Sequence, residues 1–168
     1  MHHRHITALG AVGAVLLVLA SSLALSGCGL RIPTDPSGTL ASVEGGTLHA
    51  GVSPNGRWIE VGGDVPRGSE ADAIRAFAES LDADVDWTIG SEEALVRELE
   101  NGGLDLIAGG LTDQTPWTEQ AGVTRPYAEV TAQNGEKLKL VMLVPLGENA
   151  FLSRLETFLS ERATAGEL

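Results

Sequence analysis

Residues 102–117, Gly102-Gly103-Leu104-Asp105-Leu106-Ile107-Ala108-Gly109-Gly110-Leu111-Thr112-Asp113-Gln114-Thr115-Pro116-Trp117, decide the fold class. A short apolar run, Leu104 to Ala108, is cut off by two glycines, which reads as a buried strand ending in a tight loop. Upstream, Asn101-Gly102 stops an amphipathic segment, Glu92 to Leu99, for which Ser91 is the N-cap and Glu92 and Glu93 supply first-turn acids. Before that, Val85, Trp87 and Ile89 alternate with Asp84, Asp86 and Thr88, the pattern of a strand with one wetter face. Further back, Ser69-Glu70-Ala71-Asp72 fits a capping box, and Ile74, Phe77 and Leu81 keep helical spacing. Thr47 to Val52 is a first strand, closed by a Pro54-Asn55-Gly56 turn. Strand, helix, strand, helix, strand predicts an α/β domain with a mostly parallel sheet flanked by helices.

Downstream, Thr115-Pro116 reads as an N-cap and N1 proline opening a short helix. Val123–Val130 is ambiguous and carries Pro126, Leu138–Val144 reads as one strand, and Phe151, Leu152, Leu155, Phe158 and Leu159 share a face of a final helix. No internal repeat or low-complexity tract is present.

The chain has 168 residues, is 43% hydrophobic and 20% charged, and carries a net charge of −12, so one ordinary domain is expected. Residues 1–27 hold Arg4 and no acid, which leaves 10 bases against 23 acids in the remainder. Such a surface repels phosphate backbones, so nucleic-acid binding is excluded. The one cysteine, Cys28, excludes an internal disulfide framework and a cysteine-rich zinc site.

The N-terminus reads as an address. Met1-His2-His3-Arg4-His5 is a basic start, and residues 6–25 are an apolar run broken by Gly10, Gly13, Ser21 and Ser22. Leu25-Ser26-Gly27-Cys28 then resembles the lipobox of bacterial lipoproteins. That resemblance implies cleavage after Gly27 and acylation of the Cys28 thiol, giving a membrane anchor through lipid. The alternative is an uncleaved helix, since about 20 apolar residues span a bilayer. Either way the remainder faces away from the cytoplasm. Residues 28–45, with two prolines, Ser, Thr and Gly, read as a lipidated, flexible tether, and residues 46–168 as the folded lobe.

Four segments carry a second resemblance: GTLHAGVSPNGRWIE (46–60), GSEADAIRAFAESLDADVDW (68–87), GGLDLIAGGLTDQTPW (102–117) and VTRPY (123–127). In this order they resemble the first lobe of extracellular solute-binding proteins of the amino-acid type, family 3, the receptors of ABC importers. The resemblance implies a periplasmic-binding-protein-like (type II) lobe and a small polar solute as ligand. It also implies an ABC permease, or a two-lobed receptor, as partner. Typical members leave lobe one after the TRPY-like segment, build a second lobe and return. Here about 38 residues follow Val130, so a form without the second lobe is expected. A homodimer with facing strand ends is one way to restore a cleft.

Ligands gather at the C-terminal ends of parallel strands, where loops and helix starts expose N–H groups. The candidates are Asn55, Trp58, Glu70, Gly109, Gly110 and Thr112, and the resemblance gives the Gly110 and Thr112 equivalents hydrogen bonds to the ligand. Trp117 stands where the family's ligand-pairing arginine would fall. With Trp58 it makes an aromatic wall or covers apolar surface. Arg125 is either a substitute anion contact or a solvated charge.

No cofactor or metal is implied. Asp82, Asp84, Asp86 and Glu93 occupy positions of an EF-hand pattern, but Trp87 stands where glycine is required. His49 is the one histidine beyond the signal, too few for a zinc site or a triad. Some relatives of this fold are dehydratases, which makes Glu60 or Glu70 an acid–base alternative. With one lobe there is little to exclude water, so binding rather than catalysis is expected. The rival reading is a non-binding structural or regulatory lipoprotein that uses the lobe for protein contact.

Overall fold

The computed structural model describes residues 34–168 except Arg57 and Gln133. The signal segment, Cys28 and residues 28–33 of the expected tether lie outside the described residues.

Strands β1 (Thr47–Val52), β2 (Asp84–Ile89), β3 (Leu106–Ala108), β4 (Ala121–Val123) and β7 (Leu143–Pro145) form one sheet in the order β2-β1-β3-β7-β4. β1 pairs in parallel with β2, from Thr47 opposite Asp84 to Val52 opposite Ile89, and with β3. β7 runs against both β3 and β4, so it alone opposes the others. The α/β class with a mostly parallel sheet is therefore what the chain adopts.

Helix α1 (Thr39–Val43), α2 (Ser69–Glu79), α3 (Glu92–Glu100) and α4 (Asn149–Ala165) flank the sheet. Alternation along single strands divides the core between two faces. In β3, Leu106 and Ala108 join Phe77, Phe151 and Leu155, whereas Ile107 joins Leu95, Val96 and Leu99 from α3. On the first face the Phe77 and Phe151 rings meet edge-on at 5.7 Å. Phe151, Leu155 and Leu159 of the final helix are fully buried, with Leu152 and Phe158 packed beside them. Ser91 caps α3 as expected, its Oγ accepting from Ala94 N–H at 3.4 Å.

Several local expectations give way to tertiary contacts. Residues 34–45, expected as tether, carry α1, and Val43 is fully buried. Glu148, at the start of α4, accepts from the N–H of Ser37 at 2.8 Å and of Thr39 at 3.0 Å. Asp35 accepts from Leu40 N–H at 2.8 Å and Phe151 N–H at 3.2 Å. Burial pushes the Glu148 carboxyl up, but the hydrogen bonds from Ser37 and Thr39 outweigh it and hold it below the usual carboxylate range. The capping box at Ser69 is absent: Gly68 is the N-cap, with no side-chain cap, and Ser69 is already helical.

No helix opens at Thr115-Pro116. Residues 113–120 form turns, with Ala121 N–H donating to Trp117 C=O as the chain enters β4. The ambiguous 123–130 stretch holds the end of β4 and the start of β5 (Ala128–Thr131). The apolar run 138–144 is two strands: β6 (Lys137–Leu140) pairs with β5, and β7 lies in the main sheet. The chain switches sheets at Val141 and Met142, whose N–H groups bond Leu111 C=O and Thr124 Oγ1. Apolar residues on both sides of the switch, Leu138 and Leu140 before it and Leu143 and Val144 after it, hide it in the sequence.

Where the resemblance has the chain leave for a second lobe, β5 instead turns straight into β6. Ala132 N–H donates to Glu136 C=O at 2.8 Å and Gly135 N–H to Ala132 C=O at 2.9 Å. Among the described residues no helix is long and apolar enough to cross a membrane.

Candidate functional site

At the end of β1 the chain makes a turn in which Asn55 N–H donates to Ile59 C=O and Trp58 N–H to Asn55 C=O. The end of β3 lies alongside it, since Ser53 N–H donates to Ala108 C=O at 2.9 Å. Asn55 Nδ2 then crosses to the Gly109 carbonyl at 2.8 Å. The two glycines are required here. Gly110 has φ +68°, and a Cβ on it would sit 2.5 Å from Asn55 Nδ2 and 2.8 Å from Trp58 Cδ1. A Cβ on Gly109 would meet the Ser53 carbonyl oxygen at 2.7 Å.

Asn55, Trp58, Gly110 and Thr112 together form one side of a cavity of about 530 Å³. The opposite side is the β5–β6 hairpin, through Val130, Thr131, Ala132, Leu138 and Leu140. No described lining residue is charged. Four of the candidates named from sequence thus meet at one place, whereas the hairpin wall escapes sequence reasoning. Its signal is the apolar alternation of Leu138 and Leu140, hidden inside what reads as a single long strand.

The other candidates lie elsewhere. Glu70 is 2% exposed and does not line the cavity. Its Oε2 accepts from Gly110 N–H at 2.8 Å, and its Oε1 accepts from the Tyr127 hydroxyl. Burial pushes the Glu70 carboxyl above its usual value, and bonds from Tyr127, Gly110 and Gly109 draw it only part of the way back. Burial and the neighbouring Glu70 carboxylate push the Tyr127 phenol far up.

Gly109 contributes its carbonyl to Asn55 rather than a cavity wall. Trp117 packs on the Leu95 and Ile107 side of the sheet, and its Nε1 donates to Glu92 Oε2 at 3.3 Å. It makes no aromatic wall with Trp58, because the turns at 113–120 carry it to the α3 face. Arg125 is bound to α4: its backbone N–H and Nε donate to the Glu156 carboxylate at 2.7 and 2.8 Å. Glu60 is exposed in a loop bridged to Arg67, away from the cavity lining.

His49 Nδ1 faces Asp86 at 3.4 Å in the neighbouring strand. Among the described residues no group of three or more His, Cys, Asp or Glu side chains is placed to hold a metal. A cavity of about 430 Å³ opens at the other end of the sheet, between α1, the end of α3 and Leu146, and contains none of the candidates.

This arrangement offers a carboxamide, a hydroxyl pair and an indole around a space of small-molecule size, open at strand ends. Glu70, the buried carboxylate behind the cavity, is occupied by two donors.

No curated protein matches the chain. Among solved structures, domain 1 of TmArgBP in its arginine-bound form superposes with a TM-score of 0.61 at 18% identity, covering 68% of this chain and 92% of that one. The unliganded, open L-cystine solute receptor of Neisseria gonorrhoeae gives 0.64 at 12% identity, over 77% and 93%. The ancestral amino-acid-binding protein AncCDT-1, a precursor of cyclohexadienyl dehydratase, gives 0.64 at 12% identity, over 78% and 96%. These likenesses show the fold. The model of the bacterial extracellular solute-binding proteins, family 3, matches residues 51–168. Its members are extracellular solute-binding proteins. With strand order, strand-end cavity and family match in agreement, the chain belongs to the bacterial extracellular solute-binding proteins, family 3.

Proposed function

We propose that this chain is a lipid-anchored, extracytoplasmic solute-binding protein that takes a small polar solute of the amino-acid class at the cavity between the β1 and β3 ends and the β5–β6 hairpin. The carrying observation is the convergence of Asn55, Trp58, Gly110 and Thr112 on one space of about 530 Å³. Thr112, Thr131 and Asn55 supply the polar contacts, and an ABC permease or a two-lobed receptor is the partner. Binding is weak, because closure of one lobe over another is what traps solute in two-lobed receptors. Facing strand ends in a homodimer supply a second wall where closure is lacking. Anchoring rests on the Leu25-Ser26-Gly27-Cys28 sequence, and a Cys28→Ala chain then incorporates no labelled fatty acid.

Calorimetry with amino acids, organic acids and small cations tests the reading, with Trp58→Ala and Thr112→Ala as paired variants. Heat from one solute class that both variants abolish supports it. Heat that survives both variants places binding elsewhere and refutes the site.

A second reading is favoured by Trp117, which stands where the family's ligand-pairing arginine would fall and is bonded to Glu92. There the lobe binds no solute and serves as a protein-contact module. No heat from any solute, together with a stable complex with a partner protein, selects it.

A further inference from the structure

Glu70 is a buried carboxylate that no solute-binding role uses, and it touches all three chain segments bordering the cavity. Its backbone N–H donates to Trp58 C=O at 3.3 Å, in the turn after β1. Its Oε2 accepts from Gly110 N–H at 2.8 Å, in the loop after β3. Its Oε1 accepts from the Tyr127 hydroxyl, one residue before β5. Tyr127 in turn begins the hairpin wall, since its N–H donates to Leu140 C=O at 3.1 Å and Leu140 lines the cavity. The strand-end wall and the hairpin wall are joined by backbone bonds, Val141 N–H to Leu111 C=O and Asp113 N–H to Lys139 C=O, both at 2.9 Å, and Glu70 adds a buried side-chain link between Gly110 and Tyr127.

We propose that Glu70 is a positioning residue of the solute cavity, a buried clasp whose two carboxylate oxygens tie the Gly110 loop to Tyr127 at the base of the β5–β6 hairpin, beside the backbone bonds that join Leu111 and Asp113 to Val141 and Lys139. One consequence concerns recognition. The Gly110 N–H is taken by Glu70, so in this protein solute contacts on that wall fall to Thr112 and Asn55 rather than to the glycine amide. The inference rests on the cavity being the solute site, but the clasp itself is tested without any solute.

The test is residue-resolved amide hydrogen exchange on the full chain in mild detergent, comparing wild type with Glu70→Leu, Glu70→Gln and Tyr127→Phe. Leucine fills the space and accepts nothing. Glutamine accepts from Gly110 through its oxygen and donates to the Tyr127 oxygen through its amide, so it rescues both links. Phenylalanine removes the hairpin link alone. In Glu70→Leu the Gly110 amide and the β5–β6 amides exchange about tenfold faster or more, the ratio for a lost hydrogen bond to a charged group. In Tyr127→Phe only the hairpin amides speed up and Gly110 stays protected, while Glu70→Gln returns both segments to near wild type. Amides of β1 and α4 stay unchanged in all three.

Three results overturn the clasp: unchanged exchange in both segments of Glu70→Leu, loosening spread evenly over β1 and α4, or a glutamine variant as loose as leucine. Should Glu70→Leu fail to fold, Tyr127→Phe decides alone, and an unchanged hairpin there overturns the proposal. A chain that binds no solute refutes the functional reading, and the exchange pattern of the variants still supports or overturns the clasp.

Discussion

Gly110→Ala and Gly102→Ala form a pair that isolates what the cavity wall demands of its glycine. Both glycines have left-handed backbone, φ +68° and +76°. An alanine therefore meets the same conformational cost at each, about 1–2 kcal/mol. The surroundings differ. A Cβ on Gly102 has nothing within 4 Å, whereas a Cβ on Gly110 meets Asn55 Nδ2 at 2.5 Å and Trp58 Cδ1 at 2.8 Å. Relief requires the Asn55 amide to leave the Gly109 carbonyl, which costs about 0.5–1.5 kcal/mol. Turning Trp58 off its rotamer adds about 0.5–1.5 kcal/mol. The expected excess for Gly110→Ala over Gly102→Ala is about 1–3 kcal/mol. A domain of this size loses about 3–4 °C per kcal/mol. Thermal melts followed by circular dichroism should therefore separate the two variants by roughly 3–12 °C. Melting points within about 2 °C of each other would refute the packing of Asn55 and Trp58 over Gly110.

Glu148→Gln puts an amide N–H against one of the two backbone donors at Ser37 and Thr39, and should cost about 2 kcal/mol in a neutral-pH urea titration. The Glu148 carboxyl is lowered from 4.5, so its stabilisation is present above that value and is lost as pH falls through the folded-state value. Wild type and variant should converge in acid, and a constant gap at every pH would contradict the assignment. Glu70 is raised from 4.5, the opposite sense, so its contribution is present below 4.5 and is lost as pH rises through its folded value. Melting-point profiles of Glu70→Gln should lack that decline. Phe151→Ala removes a fully buried ring from the Phe77 contact, and chemical unfolding should show a loss of about 3–5 kcal/mol. Arg125→Ala breaks a pair whose arginine side chain is 75% exposed. It should change stability by about 1 kcal/mol or less and leave solute affinity at the wild-type value.

Much of the site is legible in the sequence because strand ends announce themselves locally. Asn55 and Trp58 follow one apolar run, Gly110 and Thr112 follow another, and parallel pairing of the two runs brings their ends together whatever the rest of the chain does. Glu70 misleads for the opposite reason. A serine and two acids at a helix start fit a cap, and nothing local tells that the carboxylate turns inward to a glycine 40 residues later and a tyrosine 57 residues later. Residues 34–45 have the composition of a tether, yet they are ordered by a carboxylate more than 100 residues away.

The sequence by itself determined the alternation of strands and helices, the acidic surface, the motif order that marks the family and the four residues at the strand ends. These follow from periodicity and turn chemistry, which act over a few residues. Only the tertiary structure decided that the 138–144 run is two strands in two sheets, that the hairpin supplies the second cavity wall, and that Trp117 and Arg125 turn to other faces. It also decided that Glu70 lies under the cavity instead of in it. Periodicity records how deeply a residue is buried, but the partner that buries it comes from long-range packing.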